Sequence, residues 1–408
     1  MKCRHCQAEL TLPLVDLGSA PPSNAYLTPQ TLHAPEKYFP LRVLVCTQCW
    51  LAQTEDYAGA EELFSADYAY FSSYSSTWLK HAEQYVTDMA QRFALDARSL
   101  IVEVAANDGY LLQYAQARGI PCMGIEPTAS TANAARAKNI EIIEEFFGVK
   151  LAIKLTAQGR STDLLVANNV LAHVPDINDF VRGFFLLLKP AGVATFEFPH
   201  LLNLVESVQF DTIYHEHYSY LSLTAVKTIF AANGLSIFDA EELPTHGGSL
   251  RVYAQRSDKG QREIGSRVSE LLGKEFAAGM TKQSFYANFQ VKCDKVKNDL
   301  LDFFLDAKRA GKRVVGYGAA AKGNTLLNYA GVRPDLLPFV VDRNPAKQGK
   351  YLPGCRIPIA TEAQLKQTRP DYVLILPWNL RAEVMEQLVY VREWGGQFVT
   401  AVPSIRVA

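Results

Sequence analysis

The 408-residue chain contains no run of about 18 apolar residues, which removes a membrane-spanning helix from consideration. It also lacks a basic excess, with 41 Lys and Arg against 42 Asp and Glu, so its charge gives no reason to expect a nucleic-acid partner. Charged residues are few enough, at 20%, and hydrophobic ones abundant enough, at 48%, to exclude an intrinsically disordered chain. No low-complexity tract interrupts the sequence, and no repeat of solenoid period is present. The N-terminus opens on a polar, Cys-bearing segment instead of a charged-then-apolar leader, and the expected location is the cytoplasm. The length suits two or three packed domains.

The seven cysteines are an odd number, and four of them stand in two tight pairs, a metal pattern more than a disulfide pattern. Cys3-Arg-His-Cys6 and Cys46-Thr-Gln-Cys49 each put two thiolates on a turn, and two such turns make a four-sulfur site suited to one structural zinc. His5 could replace one thiolate, but four sulfurs are the preferred set. Cys122, Cys293 and Cys355 stand alone and read as small buried hydrophobes. Pro13, Pro21, Pro22, Pro29, Pro35 and Pro40 break any helix in this region, so residues 1–66 are expected to form a small, loop-rich zinc domain. A strand at 41–45 leads into the second Cys pair.

Beyond it, short apolar strands at 99–104, 122–125, 140–143, 163–166 and 193–198 alternate with helical stretches. This predicts an α/β domain over 67–258 with a mainly parallel sheet covered on both faces. A polar helical stretch from about 264 to 310 precedes strands at 313–317, 337–341, 372–376 and 398–401, so 259–408 is expected to form a second Rossmann-like domain.

Three motifs fall at strand ends in the central domain. Glu103-Val-Ala105-Ala-Asn107-Asp108-Gly109-Tyr110-Leu111 has the strand, loop and helix layout in which backbone N–H groups meet a cofactor. Glu126-Pro127 ends the next strand, where a carboxylate can accept both ribose hydroxyls, although an acidic residue there can equally be a helix cap. Asn168, Asn169 and His173 close the fourth strand at the same edge. This order resembles the class I S-adenosylmethionine methyltransferase fold. It departs from it at Ala105 and Ala106, where that fold carries glycine, so the loop is expected to bend elsewhere or bind less closely.

The densest cluster of titratable groups is Tyr214-His215-Glu216-His217-Tyr218, which suits proton transfer; a second metal site or a surface aromatic loop are its bland alternatives. On the sequence alone His215 and His217 serve equally as base, and two residues apart on an extended segment they would share a face. The segment Thr245-His246-Gly-Gly-Ser249-Leu-Arg251 is either a plain hairpin or a turn whose Arg holds a phosphate. Gly316-Tyr317-Gly318-Ala319-Ala320-Ala-Lys322-Gly-Asn324, with Asp342 ending the following strand, repeats the strand, glycine-rich loop and helix layout of a nucleotide site; glycines that merely allow a tight turn are the alternative.

Together with Tyr70-Phe-Ser-Ser73, these motifs occur in the order of the deoxysugar C-methyltransferases, which the chain resembles over nearly its whole length. The resemblance implies S-adenosylmethionine as cofactor and a thymidine-diphosphate 4-keto-6-deoxyhexose as substrate. It implies His217 as the base that removes the C-3 proton, with Tyr214, Glu216 and His173 orienting it or stabilising the enolate, and the other motif residues lining the two binding sites. A monomer or weak dimer is expected. Two rivals share some of these features. A zinc-containing nicotinamide oxidoreductase would need the spaced glycines that the Asn107 loop lacks. A non-catalytic scaffold would not need so many proton-transfer groups together.

Overall fold

The computed structural model describes residues 1–55, 57 and 71–408. In the N-terminal unit, β1 (Leu12–Ala20), β2 (Phe39–Val45) and β3 (Ala52–Thr54) form an antiparallel sheet completed by β9 (Ser219–Tyr220), a strand from far along the chain. In β2, Leu41, Val43 and Val45 are buried while Arg42 between them is exposed and pairs with Glu55. This is the two-residue period of a strand with one covered face. β1 was not expected. Its register slips between Pro13 and Val15 and between Asp16 and Ser19, which blurs the alternation that would have marked it.

The central sheet contains β4 (Ile101–Val104), β5 (Cys122–Ile125), β6 (Glu141–Ile143), β7 (Thr162–Asn168), β8 (Leu188–Pro199), β10 (Leu235–Leu243) and β11 (Ser249–Arg256). Its order is β10-β11-β8-β7-β4-β5-β6. β4 to β8 run parallel and β11 is antiparallel to both neighbours. This is the class I methyltransferase arrangement, a Rossmann-like sheet. Successive residues feed opposite cores: Ile101, Leu164 and Val166 pack with helices Ser76–Arg92 and Leu112–Ala117, and Val102, Leu165 and Ala167 with helices Val149–Ala157 and Ile177–Leu187. Burial on both faces explains why these strands read as continuous apolar runs. Of the two readings of residues 245–251, the hairpin is the one observed, since β10 and β11 pair across it.

The third sheet has the order β14-β13-β12-β15-β16-β17, from β12 (Val314–Tyr317), β13 (Val340–Val341), β14 (Ile359–Ala360), β15 (Tyr372–Ile375), β16 (Gln397–Thr400) and β17 (Arg406–Val407). Only its β17 edge is antiparallel. Helix Ser266–Ala278, expected with this third unit, is bonded to the second. Its fully buried Glu275 accepts hydrogen bonds from His200 Nε2 (2.7 Å) and from the backbone N–H of Leu223 (2.6 Å) and Thr224 (2.8 Å).

The units interlock. Leu27 bridges to Tyr351, and Glu36 accepts from Arg356 Nε (2.8 Å) and the Gly354 N–H (2.7 Å). The turn-rich segment between β1 and β2 thereby crosses to the third unit. Among the described residues, no helix is long and apolar enough to cross a membrane.

Candidate active site

The four cysteine sulfurs lie within 4.8 Å of one another. Cys3–Cys49, Cys6–Cys46 and Cys6–Cys49 are 3.6, 3.5 and 3.7 Å apart. Zinc–sulfur bonds of about 2.3 Å in a tetrahedron place sulfurs roughly 3.8 Å apart, so the residues fit that ion closely. Gln53 Nε2 donates to Cys3 Sγ (3.3 Å) and the Gln48 N–H to Cys46 Sγ (3.4 Å), the kind of surrounding donors that orient metal ligands. His5 is held by Asn178 Oδ1 (2.8 Å), which leaves the four sulfurs as the set.

The loop after β4 bends at the place where a glycine was missing. Ala105 takes φ 55° and Asn107 φ 50°, a left-handed conformation that costs a residue with a Cβ about 1–2 kcal/mol. The expectation that the loop would bend elsewhere is therefore corrected. Gly109, at φ 74°, leaves no room for a side chain, since a Cβ there would lie 2.5 Å from Ile140 Cδ1. Glu126 closes the loop from the next strand: its Oε2 accepts from the Asn107 N–H and its Oε1 from the Thr128 N–H, both at 2.9 Å. The Thr128 and Thr131 hydroxyls add to these donors, so the carboxylate sits in a set of groups that favour its charge.

Ser72 N–H donates to Asn107 Oδ1 (2.9 Å), and Lys138 Nζ reaches Ser73 Oγ (3.1 Å) and the Asp108 carbonyl (2.6 Å). This brings Ser73 to the loop, whereas Tyr70 lies outside the described residues. Tyr110 stacks on Trp78 (5.9 Å between ring centroids), Leu111 is fully buried in the apolar core, and Pro127 links β5 to helix Ala129–Arg136.

Six buried polar atoms at this edge have no hydrogen-bond partner among the described residues: both oxygens of Glu103, Oδ1 of Asp108, both amide atoms of Asn168 and Oδ1 of Asn169. Burial raises the Glu103 carboxyl well above the usual range, and the Tyr110 hydroxyl opposes this in part. Unsatisfied buried groups cost about 1–3 kcal/mol each unless a ligand meets them. A cationic amino acid nucleoside fits that edge.

Residues 214–217 form a turn, closed by the His217 N–H on the Tyr214 carbonyl (2.9 Å). The two histidines therefore do not share a face, as an extended segment would have given. His215 packs edge-on against Phe39 (5.9 Å), and its Nε2–H points at the carbonyls of Phe39 (3.2 Å) and Pro40 (3.3 Å). It docks the turn onto the zinc unit.

His217 faces the other way, 4.0 Å from the Tyr214 ring and 4.5 Å from His173. Its Nδ1 lies 3.1 Å from the Thr212 carbonyl, an acceptor, so Nδ1 carries the proton and Nε2 the free lone pair. His173 Nδ1–H is likewise fixed on the Glu216 carbonyl (2.8 Å). Burial pulls His217 well below the ordinary imidazole value and His173 and His246 to about 4. Three neutral imidazoles result.

Two residues of the N-terminal unit that the sequence did not mark also reach this place. Asn24 Nδ2 donates to Glu216 Oε1 (3.1 Å), and Tyr26 hydroxyl to the Ala319 carbonyl (2.7 Å). They lie in the Pro-broken stretch that reads as plain loop, where no local periodicity or spacing points at a partner about 190 residues away. Burial raises the carboxyl of Glu216, whose Oε2 has no partner among the described residues.

The residues expected around a diphosphate divide. Arg251 is corrected: it is buried in the central sheet, bonded to Glu197 (2.7 Å) and Glu241 (2.9 Å), with its guanidinium over Tyr85. Those two carboxylates already neutralise it. Ser249 is buried and donates to the Thr245 carbonyl (2.9 Å), and Tyr317 packs in the core behind β12.

Gly318, Ala319 and Ala320 form the turn before helix Ala321–Tyr329, and Asp342 accepts the Ala319 N–H (2.8 Å). Asn324 is buried with its Nδ2 unpartnered among the described residues. Lys322 Nζ lies 4.7 Å from the centre of the Trp378 ring and is bonded to Asn379 Oδ1 (2.7 Å). Trp378 and Asn379 were also unmarked.

Residues 3–64 match a zinc binding domain, residues 78–239 a methyltransferase domain and residues 244–403 a C-methyltransferase C-terminal domain. C-methyltransferase NovU of Streptomyces niveus is 32% identical over 406 residues, spanning 100% of this chain and 96% of its own. Among solved structures, magnesium protoporphyrin IX methyltransferase from Synechocystis PCC 6803 is 17% identical over 44% of this chain and 83% of its own, with a TM-score of 0.36. The PH0226 protein from Pyrococcus horikoshii OT3 is 14% identical over 46% and 95%, with a TM-score of 0.38.

Proposed function

This chain belongs to the S-adenosylmethionine-dependent C-methyltransferases with an N-terminal zinc-binding domain, and we propose that it methylates C-3 of a thymidine-diphosphate-linked 4-keto-6-deoxyhexose. Membership sets aside the oxidoreductase and the non-catalytic scaffold. The observation that carries the proposal is the orientation of His217: Nδ1–H is tied to Thr212, which leaves Nε2 with its lone pair, on a ring packed beside those of His173 and Tyr214. A neutral imidazole held in this way is a general base that needs no prior deprotonation. The proton it removes is acidic because the adjoining C-4 carbonyl takes up the electron pair. S-adenosylmethionine supplies, when bound, an electrophilic methyl group on a positively charged sulfur.

Around that cofactor the chain's own residues bind and orient. Glu103 and Asp108 offer buried acceptors to a cationic amino group, and Glu126, at the end of β5, offers its carboxylate to ribose hydroxyls. Asn168 and Asn169 complete the edge. Glu126→Ala is expected to weaken S-adenosylmethionine binding by about 1–3 kcal/mol, measured by calorimetry, because a charged acceptor is lost and the Asn107 loop is released. Unchanged affinity would remove Glu126 from the site. The zinc ion, with four sulfurs filling its positions, has none open for chemistry.

The reading is tested with the wild-type protein, the 4-keto sugar nucleotide and S-adenosylhomocysteine in deuterated water. Exchange of the C-3 proton for deuterium is expected without methylation. A substrate that keeps its C-3 proton throughout would overturn the enolate mechanism.

A further inference from the structure

We infer that the Lys322 ammonium is a further catalytic residue of this site, the group that takes the negative charge developing on the C-4 carbonyl oxygen as His217 removes the C-3 proton. This rests on the reading above, in which that proton is removed at all. The geometry begins at helix Ala321–Tyr329, where Lys322 and Thr325, three residues apart, share one face. Thr325 Oγ1 donates to the Ile213 carbonyl (2.8 Å), and the preceding carbonyl, that of Thr212, orients His217. One short turn therefore fixes both the base and the helix face that carries the lysine.

The ammonium itself is held on two sides. It donates to Asn379 Oδ1 (2.7 Å) and lies over the Trp378 ring (4.7 Å), while Trp378 Nε1 donates to Asp211 Oδ2 (2.7 Å). Gly247 lets that indole in, since a Cβ there would lie 2.5 Å from its edge. An ammonium has three donors, and among the described residues only Asn379 takes a hydrogen bond from it. No carboxylate forms an ion pair with it there. Burial lowers the ammonium against the raising influence of Asp211, and its charge reaches His217 and His246.

A half-buried cation with donors to spare, whose charge acts on neutral imidazoles, is suited to charge that appears only during reaction. In the step, the C-3 to hydrogen bond breaks and its proton goes to His217 Nε2. The electron pair forms the C-3 to C-4 double bond, and the carbonyl oxygen becomes an oxyanion hydrogen-bonded to Lys322 Nζ. No redox partner is involved.

The test compares Lys322→Met and Lys322→Arg in the full chain. At saturating sugar nucleotide, Lys322→Met is expected to slow C-3 deuterium exchange about 100-fold or more, while the Kd for thymidine diphosphate changes less than threefold. Lys322→Arg, which keeps the charge, is expected to recover most of that rate. A Lys322→Met protein that exchanges within threefold of wild type, with thymidine diphosphate bound at least tenfold more weakly, would overturn the proposal and return the lysine to the diphosphate. If Lys322→Met does not fold, Lys322→Gln replaces it, and equal rates for the Arg and Gln variants would likewise overturn it. Failure of the wild-type protein to exchange at all would instead remove the enolate reading, so the two outcomes are distinct.

Discussion

Changing His217 to Asn is expected to slow C-3 proton exchange about 100-fold or more while leaving S-adenosylmethionine affinity nearly intact. The asparagine amide stands where Nδ1–H stands, so it can still donate to the Thr212 carbonyl, now at 3.1 Å from the imidazole nitrogen, and the turn should persist. What disappears is the Nε2 lone pair. The pH dependence follows from the same burial. The folded imidazole titrates well below its ordinary value, so the neutral, competent form is lost only as pH falls far below that value. Exchange should hold steady as pH passes down through about 6.5, where a solvated imidazole would lose half its base. His215→Asn should change the rate far less, because that ring faces Phe39 and Pro40. Exchange abolished in His215→Asn but kept in His217→Asn would reverse the two roles.

The second large effect is expected from zinc. Removing the ion, or changing Cys46 to Ser, should unfold the N-terminal unit, because structural zinc contributes on the order of 10–16 kcal/mol that is also folding free energy. Exchange should be lost with it although the ion touches no reacting atom. The link is physical: Thr54 Oγ1 donates to the His217 carbonyl and the Thr54 N–H to the Tyr218 carbonyl, both at 3.1 Å, and Asn24 holds Glu216. Elemental analysis should find one zinc per chain. Protein purified without chelator that contains no zinc, or zinc-free protein that exchanges normally, would contradict this.

How much of this was legible in the sequence depended on the range over which each signal acts. Cys3, Cys6, Cys46 and Cys49 announce themselves because a chelating turn is local, and the central strands do so because burial on both faces makes them continuous apolar runs. Residues 337–341 read as a strand, but only Val340–Val341 pair. β1 and β10 were hidden, the first by its bulges and the second by Glu241 and Glu242 in its exposed half. The site was less legible because its chemistry is assembled from three units. Nothing near Arg251 in sequence reveals that Glu197 and Glu241 will claim it, and nothing near Asn24 reveals Glu216. That His215 and His217 face different neighbours follows from the turn at 214–217, which a two-residue alternation does not express.

The central claim is a new carbon–carbon bond at C-3 of a 4-keto sugar nucleotide. It is tested most directly by incubating the protein with S-adenosylmethionine labelled with carbon-13 in its methyl group and the thymidine-diphosphate 4-keto-6-deoxyhexose, then reading the product by NMR. A labelled methyl carbon coupled to C-3 is the predicted result, and a label found on an oxygen or nitrogen, on another ring carbon, or still entirely on the cofactor would contradict it.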